Sequence, residues 1–236
     1  MTQPDLPVLG RSRPCLLDLF CGAGGAAYGY HDAGFDIIGV DDKPQPNYPF
    51  EFLQADAIDF LAEYVAAPVN PHDRFDAIHA SPPCQSFTAY RRKGHGVGDG
   101  YPDLIEPVRG LLARTGVPTV IENVGGAPLR DPIMLCGSTF GLDVRRHRYF
   151  ELDGFTVEQP GCDHAWQTPR FAPASNRTNL RRTVEVGVWR IPLDVQQRAM
   201  GIDWMTLPEL SEAIPPAYTR WIGWDLSRAV SERRAA

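Results

Sequence analysis

The 236-residue sequence predicts an α/β domain built on a doubly wound, mostly parallel sheet. Three observations support this fold class. Apolar strand-like runs alternate with helix-like segments through the first half of the chain, a glycine-rich turn follows the first strand, and polar or reactive side chains come directly after several strands. Strand–helix alternation is typical of parallel sheets with helices on both faces. Such folds bind their ligands where the strands end.

Six strand-like runs and five helix-like segments make up this pattern. The strand-like runs are short and apolar, and they comprise Cys15 to Phe20, Asp36 to Val40, Phe52 to Ala55, Phe75 to Ala80, Val117 to Glu122 and Arg148 to Leu152. The helix-like segments comprise Ala26 to Ala33, Ala57 to Ala66, Leu104 to Arg114, Leu193 to Met200 and Ala217 to Ala229. Gly34 follows the first helix directly, where glycine commonly ends a helix. From Met134 the pattern changes to short strands, and residues 158–182 have little apolar periodicity, which predicts a small loop-rich insertion.

Composition and charge are those of an ordinary soluble globular protein, with 43% hydrophobic and 22% charged residues. The chain has no apolar run near the ~18 residues of a membrane helix and no signal-peptide pattern, so we expect a cytosolic protein outside the membrane. The net charge of −6 argues against nonspecific coating of nucleic acid, although basic residues cluster locally. The five cysteines form no CxxC pair and are expected to be reduced thiols. Cys162 and His164 have no second pair of candidate ligands near them in the sequence, so we predict no metal site.

A single thiol follows two prolines at the end of the fourth strand. The segment is Ser81-Pro82-Pro83-Cys84-Gln85, and its prolines restrict their own φ angles and the residues before them. The chain therefore leaves the strand in a fixed direction and carries Cys84 to the edge of the sheet, where α/β folds place their chemistry. Taken alone, Cys84 is either a nucleophile or a small buried hydrophobe, as most free cysteines are.

A glycine-rich turn follows the first strand, in the segment Asp18-Leu19-Phe20-Cys21-Gly22-Ala23-Gly24-Gly25. Glycine permits a positive φ and lets a ligand approach the backbone, and α/β folds receive nucleotide-like cofactors at this position. Asp41, at the end of the second strand, suits the hydroxyl groups of a ribose. On these residues alone, the turn fits a nicotinamide cofactor, S-adenosylmethionine, or a tight turn with no ligand.

A carboxyl group and two arginines occupy the later strands. Glu122 ends an apolar strand, where burial raises the pKa of a carboxyl group and favours proton donation near neutral pH. The alternative is a capping or ion-paired acid. Arg146 and Arg148 flank His147 at the start of a strand, so strand alternation places both arginines on one face. They suit an anion or the edge of a base, or else form an exposed basic edge.

Taken together, the segments DLFCGAGG, SPPCQSF, IENV and RRHRYFE occur in this order at strand ends of one domain. This combination resembles the cytosine-C5 DNA methyltransferase family, whose motifs are a cofactor loop, a Pro-Cys nucleophile, a Glu-Asn-Val acid and an Arg-x-Arg strand. Residues 197–201 and 212–216 are similar to the last two motifs of that family, so the resemblance covers nearly the whole chain. It implies a Rossmann-like class I S-adenosylmethionine-dependent methyltransferase fold.

The resemblance implies a catalytic role for five residues. Cys84 adds to C6 of a cytosine, which makes C5 nucleophilic toward a methyl donor. Glu122 holds or protonates ring N3, and Asn123 positions the loop around it. Arg146 and Arg148 orient the base and polarise its carbonyl group. The target base must be flipped out of a stacked duplex.

The resemblance also implies S-adenosylmethionine as the cofactor. Phe20 lies against the adenine, while Gly22 and Gly24 admit the methionine part. Asp41 takes the ribose hydroxyls, and Asp56 takes the adenine amino group. Further residues are placed against the cofactor by the same resemblance: Asp18, Asp42, Ala57, Ser81, Pro82 and Ala213.

Three regions follow from these assignments: a catalytic and cofactor-binding domain at 12–152, a short target-recognition segment at 153–190, and C-terminal motifs at 191–232 that pack back on the domain. Predicted nucleic-acid contacts are Gln85, Ser86, Arg91, Arg92, Lys93, Arg177, Arg181 and Arg182. The small size of the recognition segment predicts a short or relaxed target sequence.

The implied partner is double-stranded DNA, bound by a monomer in the cytosol of a prokaryote or a phage-infected host. One alternative is a tRNA cytosine-C5 methyltransferase, which shares the same catalytic parts and fold. Another is a catalytically idle nucleic-acid-binding homologue, against which the intact catalytic residues argue. The chain departs from the family pattern at Asp42, Val144 and Glu212, where that pattern has an aromatic residue, a glutamine and an asparagine-bearing motif.

Overall fold

A computed structural model describes residues 12–66, 75–85, 87, 103–165, 167–168 and 181–235. Its main sheet has seven strands in the order β3-β2-β1-β4-β5-β7-β6. These strands are β1 (Cys15–Leu19), β2 (Asp36–Asp41), β3 (Glu51–Gln54), β4 (Ala77–Ala80), β5 (Thr119–Asn123), β6 (Ile133–Leu135) and β7 (Arg148–Asp153). The short strands β8 (Gln167–Thr168) and β9 (Arg181–Arg182) form a separate parallel pair.

The first five strands pair in parallel. β7 lies antiparallel to β5, with Glu122 opposite Phe150, and β6 lies antiparallel to β7. The predicted mostly parallel sheet is therefore confirmed. The antiparallel pair at one edge comes from the region after Met134 where the sequence pattern changes.

Helices cover both faces of the sheet, as a doubly wound fold requires. One face carries α1 (Gly25–Asp32) and α6 (Pro216–Ala235), and the other carries α2 (Ala57–Ala66) and α3 (Ile105–Leu112). Successive residues of β1 alternate between these faces: Leu16 packs in the cluster of α1 and α6, and Leu17 packs in the cluster of α2 and α3. The apolar runs of the sequence thus build two cores around one sheet.

The helix boundaries agree closely with the prediction in the middle of the chain and less well near its end. α2 and α4 (Leu193–Met200) begin and end where predicted, whereas α6 extends six residues beyond Ala229. The sequence analysis did not predict α5 (Leu207–Glu212). Its first turn is fixed by a capping box in which the backbone N–H and the hydroxyl of Thr206 both donate to Glu209 Oε2 at 2.7 Å.

The strand order reverses between β1 and β4, which lie side by side in parallel. The glycine-rich turn leaves the carboxyl end of β1, and the Pro-Pro-Cys turn leaves the carboxyl end of β4. A crevice forms at such a reversal, and open α/β sheets bind their ligands there. Across the described ranges, every helix is too short or too polar to cross a membrane.

Candidate active site

The turn between β1 and α1 has an unusual backbone. Phe20, Gly22 and Gly24 all have positive φ angles, of 57°, 50° and 84°. Glycine adopts this conformation without steric cost. A Cβ on Gly24 would also lie 2.8 Å from Pro49 Cδ, so residue 24 has to be glycine on two grounds. The turn therefore presents backbone, and no side chains of its own glycines, to the crevice.

Asp41 holds this turn in place from the end of β2. Its Oδ2 accepts a hydrogen bond from the N–H of Gly22 at 3.0 Å, and its Oδ1 accepts one from Lys43 at 3.1 Å. The carboxylate lines the crevice as well. Because each carboxylate oxygen has two lone pairs, Asp41 can anchor the turn and still accept hydrogen bonds from ligand hydroxyls.

Asp18 is a buried carboxyl group at the end of β1, with a relative exposure of 1%. The hydroxyl of Tyr48 donates to Oδ2 at 3.4 Å, and among the described residues no donor reaches Oδ1. Burial, with a further contribution from Asp41, raises the pKa of Asp18 to about 8. Since Asp18 also lines the crevice, a ligand that brings a positively charged amino group would satisfy its unpaired oxygen.

We expect Asp18→Asn to increase the thermal stability of the ligand-free protein at alkaline pH. The pKa of Asp18 rises from 3.8 to about 8 on folding, so the folded chain holds a proton that the unfolded chain releases. The contribution of this proton to the free energy of unfolding is fully present below pH 3.8. It decreases as the pH rises from there and is lost at about pH 8. Asparagine does not ionise, so the variant lacks this loss. Thermal unfolding of both proteins at about pH 5 and about pH 8 measures the difference, and an equal change in Tm for both would contradict the raised pKa.

Three predicted cofactor residues do not line the crevice: Gly24 in the glycine turn, and Asp56 and Ala57 at the start of α2. Asp56 Oδ1 accepts hydrogen bonds from the N–H groups of Ile58 at 2.8 Å and Asp59 at 3.0 Å, so this carboxylate caps α2. Ala57 is buried in the core beneath the same helix. Neither residue is among those that line the crevice.

The nucleophile turn is fixed to the sheet from both sides. The N–H of Ser81 donates to Leu19 on β1 at 3.1 Å, and the side-chain amide of Asn123 on β5 donates to the carbonyl oxygen of Pro82 at 2.9 Å. Asn123 is itself buried, with 1% relative exposure. The two prolines and these two hydrogen bonds leave Cys84 partly exposed at the mouth of the crevice.

The described residues around Cys84 raise the pKa of its thiol on balance. Burial raises its pKa, the charge of Arg148 lowers it, and Glu122 and Glu212 raise it further. The net direction is upward. A thiolate at Cys84 therefore has to be favoured by what binds next to it, because only the thiolate is strongly nucleophilic.

Glu122 lies at the end of β5 with 5% relative exposure. Its Oε1 is 3.2 Å from Nε of Arg148 on β7, although the pair lacks hydrogen-bond geometry and no described residue donates a hydrogen bond to this oxygen. Burial raises the pKa of Glu122, while Arg148, Ser81 and Arg146 lower it in part. The net rise favours the protonated acid, and the unpartnered Oε1 is free to meet a substrate.

Arg146 and Arg148 do not share a strand face, contrary to the prediction. β7 begins only at Arg148, and Arg146 has a φ of 36°, which breaks the extended conformation that the alternation argument requires. Arg146 instead donates to the carbonyl oxygen of Ser211, within α5, at 2.6 Å. It also donates to the carbonyl oxygen of Ala213, directly after α5, at 2.8 Å. Burial, with a further contribution from Arg148, lowers its pKa to about 9. Arg146 thus ties the C-terminal motif to the start of β7.

A series of hydrogen-bonded, buried side chains lies behind Glu122 and was not predicted from the sequence. The hydroxyl of Tyr30 is 3.0 Å from Nδ1 of His79, and Nε2 of His79 is 2.8 Å from the hydroxyl of Ser81, which hydrogen-bonds to Glu122. Burial lowers the pKa of His79 to about 3, so its ring is neutral. The signal was hard to see because His79 stands inside an apolar strand run and its partner Tyr30 comes from α1. These hydrogen bonds orient the hydroxyl of Ser81 toward Glu122.

One crevice of about 300 Å³ joins the glycine turn to the nucleophile turn. Of the predicted site residues, those that line it are Asp18, Phe20, Gly22, Asp41, Asp42, Ser81, Pro82, Cys84, Gln85, Glu122, Arg148 and Ala213. A buried acid with an unpaired oxygen (Asp18), a cofactor-type turn, a thiol and a second buried acid whose pKa is raised (Glu122) therefore open onto the same space. This is the arrangement that group transfer between two bound molecules needs.

Most predicted nucleic-acid contacts lie outside the described residues: Ser86, Arg91, Arg92, Lys93 and Arg177. Arg181 and Arg182 form β9, paired in register with Gln167 and Thr168. Gln85 lines the crevice next to Cys84. The assignment of these residues to nucleic acid stays a prediction.

Part of this chain is similar in sequence to known proteins. Residues 15–129 match the family model described as C-5 cytosine-specific DNA methylase, and this stretch carries the glycine turn, Cys84 and Glu122. The Type II methyltransferase M.AgeI of Thalassovita gelatinovora is 27% identical over 183 residues, which cover 63% of this chain and 42% of that protein. The chain thus spans less than half the length of this relative.

The fold has a counterpart among solved structures. The S. pombe Dnmt2 methyltransferase aligns over 94% of this chain and 99% of its own, with a TM-score of 0.53 and 13% identity. That likeness concerns the fold, whereas the family model and the geometry of the crevice concern the site. On these grounds residues 15–129 are similar to the C-5 cytosine-specific DNA methylase family, and the chain shares 27% identity with the Type II methyltransferase M.AgeI over 183 residues.

Proposed function

We propose that this protein transfers a methyl group from S-adenosylmethionine to C5 of a cytosine in double-stranded DNA, through a covalent bond between Cys84 and C6. One observation carries the proposal: Cys84, Glu122 and Arg148 open onto the same crevice as the glycine turn after β1. An oxidoreductase that binds a nicotinamide cofactor would use the glycine turn after β1 but would have no role for the thiol of Cys84 or the carboxyl group of Glu122. Methyl transfer to a cytosine uses all of them.

The residues of the crevice fit S-adenosylmethionine. Its amino group suits the unpaired Oδ1 of Asp18, and its ribose hydroxyls suit Asp41. Gly22 lets the ligand approach the backbone, and Phe20 offers an apolar wall on the same side. When bound, S-adenosylmethionine supplies an electrophilic methyl group. Asp18→Asn should accordingly weaken its binding while it stabilises the ligand-free fold.

Cys84 starts the reaction because C5 of cytosine is a poor nucleophile by itself. The thiolate of Cys84 forms a bond to C6, and the electron pair of the C5–C6 double bond moves into the ring toward N3. Glu122 gives its proton to N3 as that charge develops, and its raised pKa supports this role. Arg148, 3.2 Å from Glu122, stabilises the carboxylate that remains.

The adduct breaks down by the reverse movement of electrons. Once C5 is methylated, a base removes the C5 proton, the C5–C6 double bond forms again, and the C6–S bond breaks. The sulfur leaves as a thiolate, and Glu122 takes its proton back. Asn123 and the prolines hold Cys84 at one position through both halves of the cycle, since they fix the turn to β5.

Double-stranded DNA is the substrate that the family match supports. The target atom is hidden in a stacked duplex, so the cytosine has to be flipped into the crevice. Residues 153–190 form the proposed recognition segment, and their small number favours a short target. We further propose that the protein acts as a monomer in the cytosol, where its thiols stay reduced.

Transfer of labelled methyl groups to duplex DNA and to tRNA tests the substrate. We expect incorporation into DNA, at a short or relaxed sequence in a panel of duplexes. Methylation of tRNA without methylation of DNA would overturn double-stranded DNA as the substrate. It would leave the proposed covalent mechanism through Cys84 unchanged. Strict recognition of about six or more base pairs would overturn the role of the short segment. Cys84→Ala serves as the background control on both substrates.

A further inference from the structure

Four sulfur and nitrogen ligands meet where β6 ends and β7 begins, and none of them lines the crevice. The side chains are Cys136, His147, Cys162 and His164, and their ligand atoms all lie within 4.8 Å of one another. We propose that they bind one zinc ion. The sequence analysis found Cys162 and His164 without a second pair, and the fold supplies that pair as Cys136 and His147.

The distances suit a single small ion at the centre. Nε2 of His164 lies 3.0 Å from Sγ of Cys162 and 3.2 Å from Sγ of Cys136, and Nε2 of His147 lies 3.4 Å from Sγ of Cys162. Ligands at the usual zinc–sulfur and zinc–nitrogen lengths in a tetrahedron stand about 3.5 Å apart. The two imidazole rings lie nearly parallel, 13° apart. The Nε2–Sγ distances show that both rings present Nε2 to a cysteine sulfur.

Contacts outside the cluster position three of its segments. Cys136 directly follows β6, and Gly137 after it donates from its N–H to the carbonyl oxygen of Arg145 at 2.8 Å. A Cβ on Gly137 would lie 2.2 Å from the carbonyl oxygen of Val144, so this close approach requires glycine. The hydroxyl of Thr139 donates to the carbonyl oxygen of Gly161 at 2.8 Å, next to Cys162. The ligands are brought together without depending on one another.

The donor set selects zinc among common metal ions. Two thiolates and two neutral imidazoles form the tetrahedral Cys₂His₂ arrangement of structural zinc sites, whereas magnesium and calcium prefer oxygen ligands. Binding releases one proton from each thiol, and the two thiolates neutralise the charge of Zn²⁺. With four protein ligands the ion keeps no open position, so its role is structural.

The site joins the catalytic strand to the proposed recognition segment. His147 stands between Arg146 and Arg148, directly before β7, and Cys162 and His164 belong to the segment that begins after β7. A bound ion would therefore fix the start of β7 relative to residues 161–164. None of the four ligands lines the crevice of Cys84. The proposal consequently stands or falls independently of the methyltransferase activity.

Metal analysis of the purified full chain tests the site. We expect about one zinc per chain. Replacement of zinc by cobalt(II) should give intense visible absorption from a tetrahedral site and a thiolate charge-transfer band in the near ultraviolet. Cys162→Ser and His164→Asn should each lose most of the metal and change the cobalt spectrum. Both replaced side chains reach the surface, which limits damage to the fold.

Matched controls replace one cysteine and one histidine elsewhere. Cys84→Ser and His31→Asn should retain the metal and the cobalt spectrum. A strong chelator should lower the Tm of the wild type and leave that of Cys162→Ser unchanged. A protein that contains no zinc after growth with added zinc and gives no thiolate band with cobalt would overturn the proposal. So would a Cys136–Cys162 disulfide in the purified protein, shown by a count of free thiols.

Discussion

Replacing Cys84 with alanine should lower the rate of methyl transfer to cytosine by at least about 10⁴-fold, the scale on which removal of a catalytic nucleophile acts in other enzymes. Cys84 carries the only thiol among the predicted site residues that line the crevice, and a thiolate is the strongest nucleophile of that set. Affinity for S-adenosylmethionine should change by no more than about threefold, because Cys84 is not one of the proposed cofactor contacts and alanine removes only its thiol.

Single-turnover methyl transfer and equilibrium binding of S-adenosylmethionine measure the two effects separately. Cys15→Ala is the matched control, since Cys15 is a buried thiol at the opposite end of β1 from the crevice. The control should retain activity. A Cys84→Ala protein that methylates cytosine within about tenfold of the wild-type rate would remove the basis of the mechanism.

Glu122→Gln should lower the single-turnover rate by about 10²- to 10⁴-fold, the usual contribution of general acid–base catalysis. It should also change the shape of the pH profile. The reaction needs a protonated Glu122 and a thiolate at Cys84, and the pKa of each group is raised. The wild-type rate therefore passes through a maximum with pH. Glutamine cannot lose a proton, so the fall at high pH should disappear in the variant and the rate should rise until the thiol is ionised.

Glu151→Gln is the control for loss of a buried acid. Glu151 lies on β7, opposite Ile121, and pairs with Arg109 at 2.7 Å outside the crevice. Its replacement should lower thermal stability and leave the shape of the pH profile unchanged. If Glu122→Gln keeps the descending limb at high pH, then a group other than Glu122 supplies the proton.

Much of the order of elements was predictable because six strands of the sheet are short apolar runs and three of the crossovers between parallel strands contain a helix, namely α1, α2 and α3. The observed first and last residues of α2 and α4 are the predicted ones. α5 was missed because it is only six residues long, and its signal is a cap, Thr206 with Glu209, and not an apolar pattern. Short helices depend on such local hydrogen bonds more than on periodicity.

The site was predictable where strand order alone determines position. Asp18, Cys84 and Glu122 each end a parallel strand, so neighbouring strands bring them together at one edge. Strand alternation was wrong for Arg146, which precedes β7 and has a positive φ, although its charge still acts on Glu122 and Cys84. Asp56 caps α2 through Oδ1 and does not line the crevice, so its contact with the adenine amino group stays a prediction.

Side-chain contacts between segments far apart in the sequence could not be predicted from the sequence. His79 meets Tyr30 across 49 residues, and Cys136 meets His164 across 28. Neither pair has a spacing that marks it, because the partners sit on different elements whose packing angle decides whether they meet. The series of buried side chains behind Glu122 and the proposed zinc site both depend on such contacts.

The most direct test of the account is trapping on a duplex oligonucleotide that contains 5-fluorocytosine. The fluorine at C5 cannot leave as a proton does, so the covalent bond between Cys84 and C6 should persist after methyl transfer. In the presence of S-adenosylmethionine the wild-type protein should form one denaturation-resistant adduct, and mass spectrometry should locate it at Cys84. Cys15→Ala should form the same adduct and Cys84→Ala should form none. An adduct of undiminished yield with Cys84→Ala, or none with the wild type on DNA that it methylates, would contradict covalent catalysis by this thiol.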